Sequence, residues 1–203
     1  PTGHNLCASP AAASAADSGL ATFRAADGLW ARYRIEDVCT PEALELNRPL
    51  VIEFYNKRRK ELLETSPNAG HYAIASLEEY FDVEVITQNI DDLHERAGSS
   101  HVTHLHGELR KLRSSIDETL SFPIEGWEQK LEDRAPDGPL ARPFVAFFGD
   151  AVPMFEQEAR IASRADLMIV AGHSVAAHPC AAPGAQRAHP TNDNIAHRGT
   201  PST

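Results

Sequence analysis

Val85-Ile86-Thr87-Gln88-Asn89-Ile90-Asp91-Asp92-Leu93-His94, followed further along by His104-Leu105-His106-Gly107, decides how this chain is read. A half-buried strand with Val83, Val85 and Ile86 as its apolar positions runs straight into amide, carboxylate and imidazole groups. Open α/β sheets place their ligands at the carboxyl ends of strands. Gln88, Asn89 and Asp91 are side chains able to bond hydroxyls or a carboxamide, although Asn and Asp are also favoured simply where a strand stops. His106 precedes Gly107, where the backbone turns and a ligand can approach closely. Imidazole is the side chain best suited to remove a proton near neutral pH. On spacing alone, a satisfied structural histidine is the favoured reading of position 106.

Upstream the chain reads as helical. Thr40 with Pro41 is a cap followed by a first-turn proline, and Pro49 opens a helix whose apolar stripe is Val51, Phe54, Tyr55 and Leu62. Ser66-Pro67 reads as the cap of a third helix with Ile74, Leu77 and Phe81 on its inner face, feeding the strand that ends at Ile86. This α-to-β switch is typical of layered α/β folds. Residues 1–19 are small, polar and aperiodic, which predicts loop or tail, with order beginning near Leu20. Residues 107–142 carry little periodicity and read as an inserted small-domain segment or long loop. Phe144-Val145-Ala146-Phe147-Phe148, a helix from Pro153 to Ala165, and Leu167-Met168-Ile169-Val170-Ala171 then predict a β-α-β unit in a parallel sheet covered on both faces. The pattern dissolves after Pro183-Gly184.

The chain has 203 residues, 42% hydrophobic and 24% charged, enough for one domain with a real core and a small insertion. A formal net charge of −10 argues against a nucleic-acid surface and suits a basic partner such as a lysine-bearing peptide. The three cysteines, Cys7, Cys39 and Cys180, form no CxxC pair or disulfide framework, which predicts a reducing compartment, the cytoplasm. No apolar run approaches the ~20 residues needed to cross a bilayer, and the start lacks the pattern of a signal peptide. His94, His101, His104 and His106 have the density of a zinc site, but no cysteine is near and the spacing matches no standard finger. Solvent-exposed loop histidines are the better reading of His94 and His101. Neither GxGxxG nor GxxxxGK[ST] occurs.

Several motifs in sequence order resemble those of the sirtuins, the NAD-dependent protein-lysine deacylases. Ser18-Gly19-Leu20-Ala21-Thr22-Phe23-Arg24-Ala25-Ala26-Asp27-Gly28-Leu29-Trp30 is similar to the segment after that family's Gly-Ala-Gly loop. Thr87-Gln88-Asn89-Ile90-Asp91 resembles the signature pentapeptide, His106-Gly107 the catalytic His-Gly, and Phe147-Phe148-Gly149-Asp150 the strand end that clamps acyl-lysine. The resemblance runs from about Asp17 to Ala182. Taken with the patterns above, it implies an α/β fold. A Rossmann-like parallel-sheet domain (1–30, 82–106 and 143–184) would carry a smaller, mostly helical and loop domain (31–81 and 107–142), with a disordered tail at 185–203.

The resemblance also implies the chemistry. The cofactor is NAD, and the partners are acylated lysine side chains of proteins, with neither nucleic acid nor membrane. In the family the acyl oxygen of the substrate attacks C1′ of the nicotinamide ribose and expels nicotinamide, and the acyl group ends on ADP-ribose. By carry-over His106 is the general base. The cofactor-binding residues are Phe23, Arg24, Trp30, Gln88, Asn89, Ile90, Asp91, Gly172 and Ser174. The substrate-binding residues are Tyr55, Arg58, Val145 and Phe147. Tyr55-Asn56-Lys57-Arg58 matches the Tyr-x-x-Arg pair of sirtuins that prefer acidic acyl groups, because a guanidinium fork plus a phenol suits a succinyl or malonyl carboxylate.

Three departures from the family are expected to matter. No cysteine lies between His106 and Phe144 to build a zinc ribbon, so no structural metal is expected. Ala11 and Ala13 stand where the family has glycines, and Gly172-His173-Ser174 stands for Gly-Thr-Ser. These changes, with the weak first strand and the missing last ones, suggest a chain incomplete at both ends. The competing reading is therefore a catalytically dead fragment that at most binds acyl peptides.

Overall fold

The computed structural model describes residues 4–10, 18–19, 33–150 and 155–171. Strands β1 (Asn5–Pro10), β2 (Asp82–Thr87), β3 (Val102–His104) and β7 (Leu167–Ala171) make a parallel sheet in the order β3-β2-β1-β7. A second, antiparallel sheet contains β4 (Gly107–Ser114), β5 (Ser121–Pro123) and β6 (Ala141–Val145), with β4 in the middle. The helices are α1 (Ile35–Val38), α2 (Pro41–Leu46), α3 (Arg48–Glu64), α4 (Ala69–Ser76), α5 (Leu93–Ala97) and α6 (Phe155–Arg164). The fold is mixed α/β, with a Rossmann-like parallel sheet and a smaller inserted layer.

Local signals account for most of the helix starts. The Thr40 hydroxyl accepts the Ala43 N–H ahead of Pro41, as the sequence predicts. Asn47 caps α3, with Pro49 in the first turn. The third cap differs from the expected Ser66-Pro67. Asn68 accepts from the N–H groups of Gly70 and His71, and its own N–H donates to His71 Nδ1. An amide oxygen reaching two orphan donors, with an imidazole answering it, outcompetes a serine placed further back. The predicted stripe on α3 is buried: Val51, Phe54, Tyr55 and Leu62 pack with Val38, Ile90, Leu93, Leu109, Val145 and Phe147. One core therefore joins α3 to the end of β2 and to the antiparallel sheet.

Three expectations are overturned. Order begins well before Leu20, because Asn5–Pro10 is an inner strand of the parallel sheet. Leu6 and Ala8 face Val83, Val85, Ile74, Leu77 and Phe81, while Cys7 faces Ile86, Ile161 and Met168 on the other side. A strand covered on both faces can be built from small residues that carry no periodic signal. Second, the inserted segment at 107–142 is not helix and loop: it holds β4, β5 and the start of β6, which form a three-stranded sheet. In β4 the buried positions are Leu109, Leu112 and Ser114, and a register shift between Gly107 and Leu112 breaks the alternation that would have revealed it. Third, the run at Phe144 does not enter the parallel sheet. Its strand, β6, pairs antiparallel with β4, and of the two expected strands β7 alone enters the parallel sheet, beside β1. Phe23, Arg24, Trp30, Gly172, Ser174, the alanines at 11 and 13, His173 and the 185–203 tail lie outside the described residues.

The insert is pinned to α3 by polar groups. Arg59 is completely buried, and its guanidinium donates to the backbone carbonyls of Leu109 (2.9 Å) and Trp127 (3.1 Å) and to the Asn56 and Gln129 side chains. The Asn56 side chain donates to the Gln129 carbonyl and accepts the Gln129 N–H, and Gln129 Nε2 and Arg48 both donate to the Ala141 carbonyl. Burial lowers the Arg59 pKa to about 10, which still leaves the group protonated at neutral pH. Arg59→Met removes the donor and strands several buried acceptors. It is expected to cost about 3 kcal/mol in urea denaturation, whereas Lys60→Met on the same helix should stay within ~0.5 kcal/mol.

Candidate active site

The end of β2 is a tight turn that fixes its own side chains. The Asn89 N–H donates to Thr87 Oγ1 (3.0 Å), and the Leu93 N–H donates to Asp91 Oδ1 (3.2 Å). Ile90 belongs to the core, and its carbonyl accepts the Leu109 N–H from β4. Asn89 and Asp91 are both buried. Burial pushes the Asp91 carboxyl up, opposed by the Leu93 N–H and by His104.

Two imidazoles close over this turn. His106 Nδ1 lies 3.0 Å from the Gln88 carbonyl, and His104 Nδ1 lies 2.9 Å from the Asn89 carbonyl. A carbonyl oxygen only accepts, so each Nδ1 carries a hydrogen. In neutral His106 the basic lone pair is therefore on Nε2, the arrangement a general base requires. His104 is different because its Nε2 also bonds Glu95 Oε1 at 2.8 Å. Burial alone would lower the His104 pKa, but Glu95 and the Asn89 carbonyl override it and raise it. For Glu95, burial pushes the carboxyl up and His104 brings it below its ordinary value. His104 and Glu95 are thus an ion pair that pins the backbone of Asn89.

Gly107 sets the angle at which His106 meets the second sheet. Its φ is +83°, and a Cβ there would stand 2.2 Å from the Phe144 carbonyl oxygen. Gly107 pairs with Val145, and the Ala146 N–H donates to the His106 carbonyl at 2.9 Å. Val145, one of the expected acyl-lysine contacts, is thereby placed opposite Gly107, and Phe147, the other, follows two residues on. Phe147 stacks on Tyr55 with ring centroids 6.0 Å apart and an interplanar angle of 26°. Tyr55 is fully buried, its hydroxyl lies 3.2 Å from Cys39 Sγ, and burial drives its pKa well above the usual phenol value. Arg58 is buried, and burial lowers its pKa against the opposing charges of Tyr55, Glu61 and Asp91. The Tyr55–Arg58 pair and the 88–91 turn are therefore within electrostatic reach of each other.

The comparisons with known proteins agree with this assembly. The Sir2 family model matches residues 11–179. The chain belongs to the Sir2 family. A relative from Aggregatibacter actinomycetemcomitans, named NAD-dependent protein deacylase, is 50% identical over 164 residues, which are 81% of this chain and 78% of the relative. A solved Sir2 homologue mutant in complex with ADP-ribose superposes with a TM-score of 0.77 at 41% identity, covering 84% of this chain and 70% of that one. A crystal structure of a Sir2 homologue–NAD complex gives a TM-score of 0.76 at 40% identity, covering 87% and 71%.

In this Sir2-family chain, sequence reasoning named Gln88, Asn89, Asp91, His106, Tyr55, Arg58, Val145 and Phe147 as site candidates, but not the groups that hold them. Cys39, Glu95 and Arg142 gave no motif signal, whereas Asp150 ends the Phe147-Phe148-Gly149-Asp150 string. His94 is also corrected: it is buried, not an exposed loop residue, and its ring packs 4.6 Å from that of His71. Helices α4 and α5 close over both rings. Among the described residues, neither ring nitrogen of His94 has a hydrogen-bond partner, and no group of three or more metal-type ligands gathers. No described helix is long and apolar enough to cross a membrane.

Burial, then His71, lowers the His94 pKa to about 4. The unfolded chain binds a proton near pH 6.5 that the folded chain refuses, so stability is lost as pH falls from ~6.5 towards 4. Between pH 7 and 5, His94→Leu should lose about 2 kcal/mol less than wild type in urea denaturation. An unchanged difference would put the acid lability elsewhere.

Proposed function

We propose that the chain is an NAD-dependent protein-lysine deacylase, with His106 as its general base. The observation that carries this reading is the His106 Nδ1 bond to the Gln88 carbonyl, which puts the basic lone pair of the neutral ring on Nε2 and ties the ring to the turn that holds buried Asn89 and Asp91. The donor set fits a dinucleotide: Gln88, Asn89 and Asp91 suit ribose hydroxyls and a carboxamide, and Ile90 supplies an apolar wall. Phe23, Arg24, Trp30, Gly172 and Ser174 complete the proposed cofactor set. The deacylase names of the relatives support the same reading.

When bound, NAD supplies an electrophilic ribose carbon and a hydroxyl able to take over the acyl group. The chain's own residues hold, orient and deprotonate. Asn89 and Asp91 fix the ribose and carboxamide, held in turn by Thr87 Oγ1, the Leu93 N–H and the His104–Glu95 pair. His106 Nε2 takes the ribose proton. Val145 and Phe147 flank the acyl-lysine, and the Phe147–Tyr55 stack closes its apolar wall. An amide oxygen is a weak nucleophile, so much of the rate rests on alignment. The division of labour follows the two sheets: the parallel-sheet unit takes the dinucleotide, and the insert takes the acyl chain.

Acyl preference is the finer part of the proposal. Tyr55 and Arg58 lie one helical turn apart, both buried, and a phenol with a guanidinium fork suits a succinyl or malonyl carboxylate. Arg58→Met should reduce kcat/KM for succinyl-lysine peptide by about 100-fold while changing that for acetyl-lysine peptide by less than about threefold. An unchanged ratio would remove the acidic-acyl preference. The activity itself is tested by nicotinamide release from NAD with a succinyl-lysine peptide. Wild type should show it, and His106→Ala should fall by about 100-fold or more. Equal background from both would favour the non-catalytic fragment.

A further inference from the structure

Residues 147–150 form a turn whose parts are all tied to one carboxylate. The Asp150 N–H donates to the Phe147 carbonyl at 3.0 Å, and Gly149 has φ +95°, the pattern of a type II turn. Asp150 answers with its side chain, since Oδ2 accepts the Phe147 N–H at 3.0 Å. The same oxygen accepts from Arg142 Nη2 at 3.3 Å and lies 4.0 Å from Arg113 Nη2. Arg142, itself buried, sits over the Phe147 ring with its guanidinium carbon 4.1 Å from the centroid. Phe147 stacks on Tyr55, Tyr55 bonds Cys39, and the Cys39 carbonyl accepts the Phe148 N–H at 2.9 Å. The contacts make a closed circuit that begins and ends in the turn. It buries Phe147 and leaves Phe148 more than half exposed.

We infer that Asp150 is a positioning residue for the acyl-lysine substrate, acting through the Phe147 backbone and the Arg142 guanidinium. The inference rests on the deacylase reading, because it takes Phe147 as a wall of the acyl channel. Its physical basis is that one anionic oxygen satisfies a backbone donor and a buried cation together. Charge-assisted bonds of this kind are about twice as strong as neutral ones. Without the carboxylate, Arg142 is a buried cation with no anion against it in this circuit, and the stack of Phe147 on Tyr55 loses its lateral restraint. The cofactor side is held separately, by Thr87, His104 and Glu95. Loss of Asp150 therefore acts on one substrate and not on the other.

The test is steady-state kinetics on Asp150→Ala and Asp150→Asn, varying acyl-lysine peptide and NAD separately, with direct titration of labelled acyl peptide and thermal unfolding alongside. Asp150→Ala should raise KM and Kd for the acyl peptide by about tenfold or more, with KM for NAD within about twofold of wild type. Asp150→Asn should recover only part of that loss, because its amide oxygen still accepts the Phe147 N–H but sets no anion against Arg142. A parallel rise in both KM values, no change in either, or no rescue by asparagine overturns the inference. Wild type that binds acyl peptide without releasing nicotinamide defeats the deacylase reading alone, and Asp150 is then judged on Kd. Wild type that turns over normally beside an unaffected Asp150→Ala defeats the inference alone. Wild type that does neither defeats both.

Discussion

No side chain fits at Gly107. The backbone passes so close to Phe144 and Val145 that a single added carbon would sit inside the van der Waals shell of a carbonyl oxygen, at a φ that L residues rarely adopt. This is the crossing from the parallel sheet to the antiparallel one. Four hydrogen bonds converge on it: Leu105 N–H to Thr87, His106 Nδ1 to Gln88, Leu109 N–H to Ile90, and Ala146 N–H to His106. His106 is therefore held by backbone on three strands, not by its own rotamer preference. That restraint puts β2, which ends in amide and carboxylate groups, against β6, which leads into Phe147. A longer linker would have left the two halves of the site free to drift apart.

Around that crossing, burial acts alike on three histidines and ends in opposite charge states. Desolvation disfavours the cation at His71, His94 and His104. At His104 a carboxylate on one nitrogen and a carbonyl on the other more than restore it. His94 has only another imidazole beside it, and it stays neutral. The His104 pair stabilises below the unfolded histidine pKa and loses its effect as pH rises through the raised folded value. His94 has the reverse sign and costs stability as pH falls. The two therefore act in opposite directions as pH falls through the unfolded histidine value.

Legibility in the sequence followed the kind of signal each element carries. The α3 stripe and the 87–91 turn were legible because period and residue chemistry are both local. Strand β1 was not, since Leu6, Cys7, Ala8 and Ser9 owe their burial to strands and helices distant in sequence. β4 hid behind Arg110, Lys111 and Arg113 and a register shift that spoils its alternation. The same division holds in the site. His106, Asn89, Tyr55 and Asp150 stand in recognisable strings, whereas Cys39, Glu95 and Arg142 matter through contacts that only folding brings about. One residue in a sequence does not announce a partner brought to it by folding.

The substrate half of the site is built from cations in a strongly acidic chain, and that choice has consequences. Arg58, Arg59 and Arg142 are all buried, and burial lowers the pKa of each. Well-packed apolar residues would often stabilise such a layer as well or better. What arginines add is direction: a planar fork fixes the carbonyls it bonds, and a guanidinium over a ring fixes the tilt of that ring. The insert has a small apolar core of Leu112, Ile124, Ala141 and Phe122, so its orientation on α3 depends heavily on Arg59 and its partners. The tilt of Phe147 depends likewise on Arg142. Buried cations thus fix orientation at some cost in stability, and the apolar core is kept for α3, where only burial is needed.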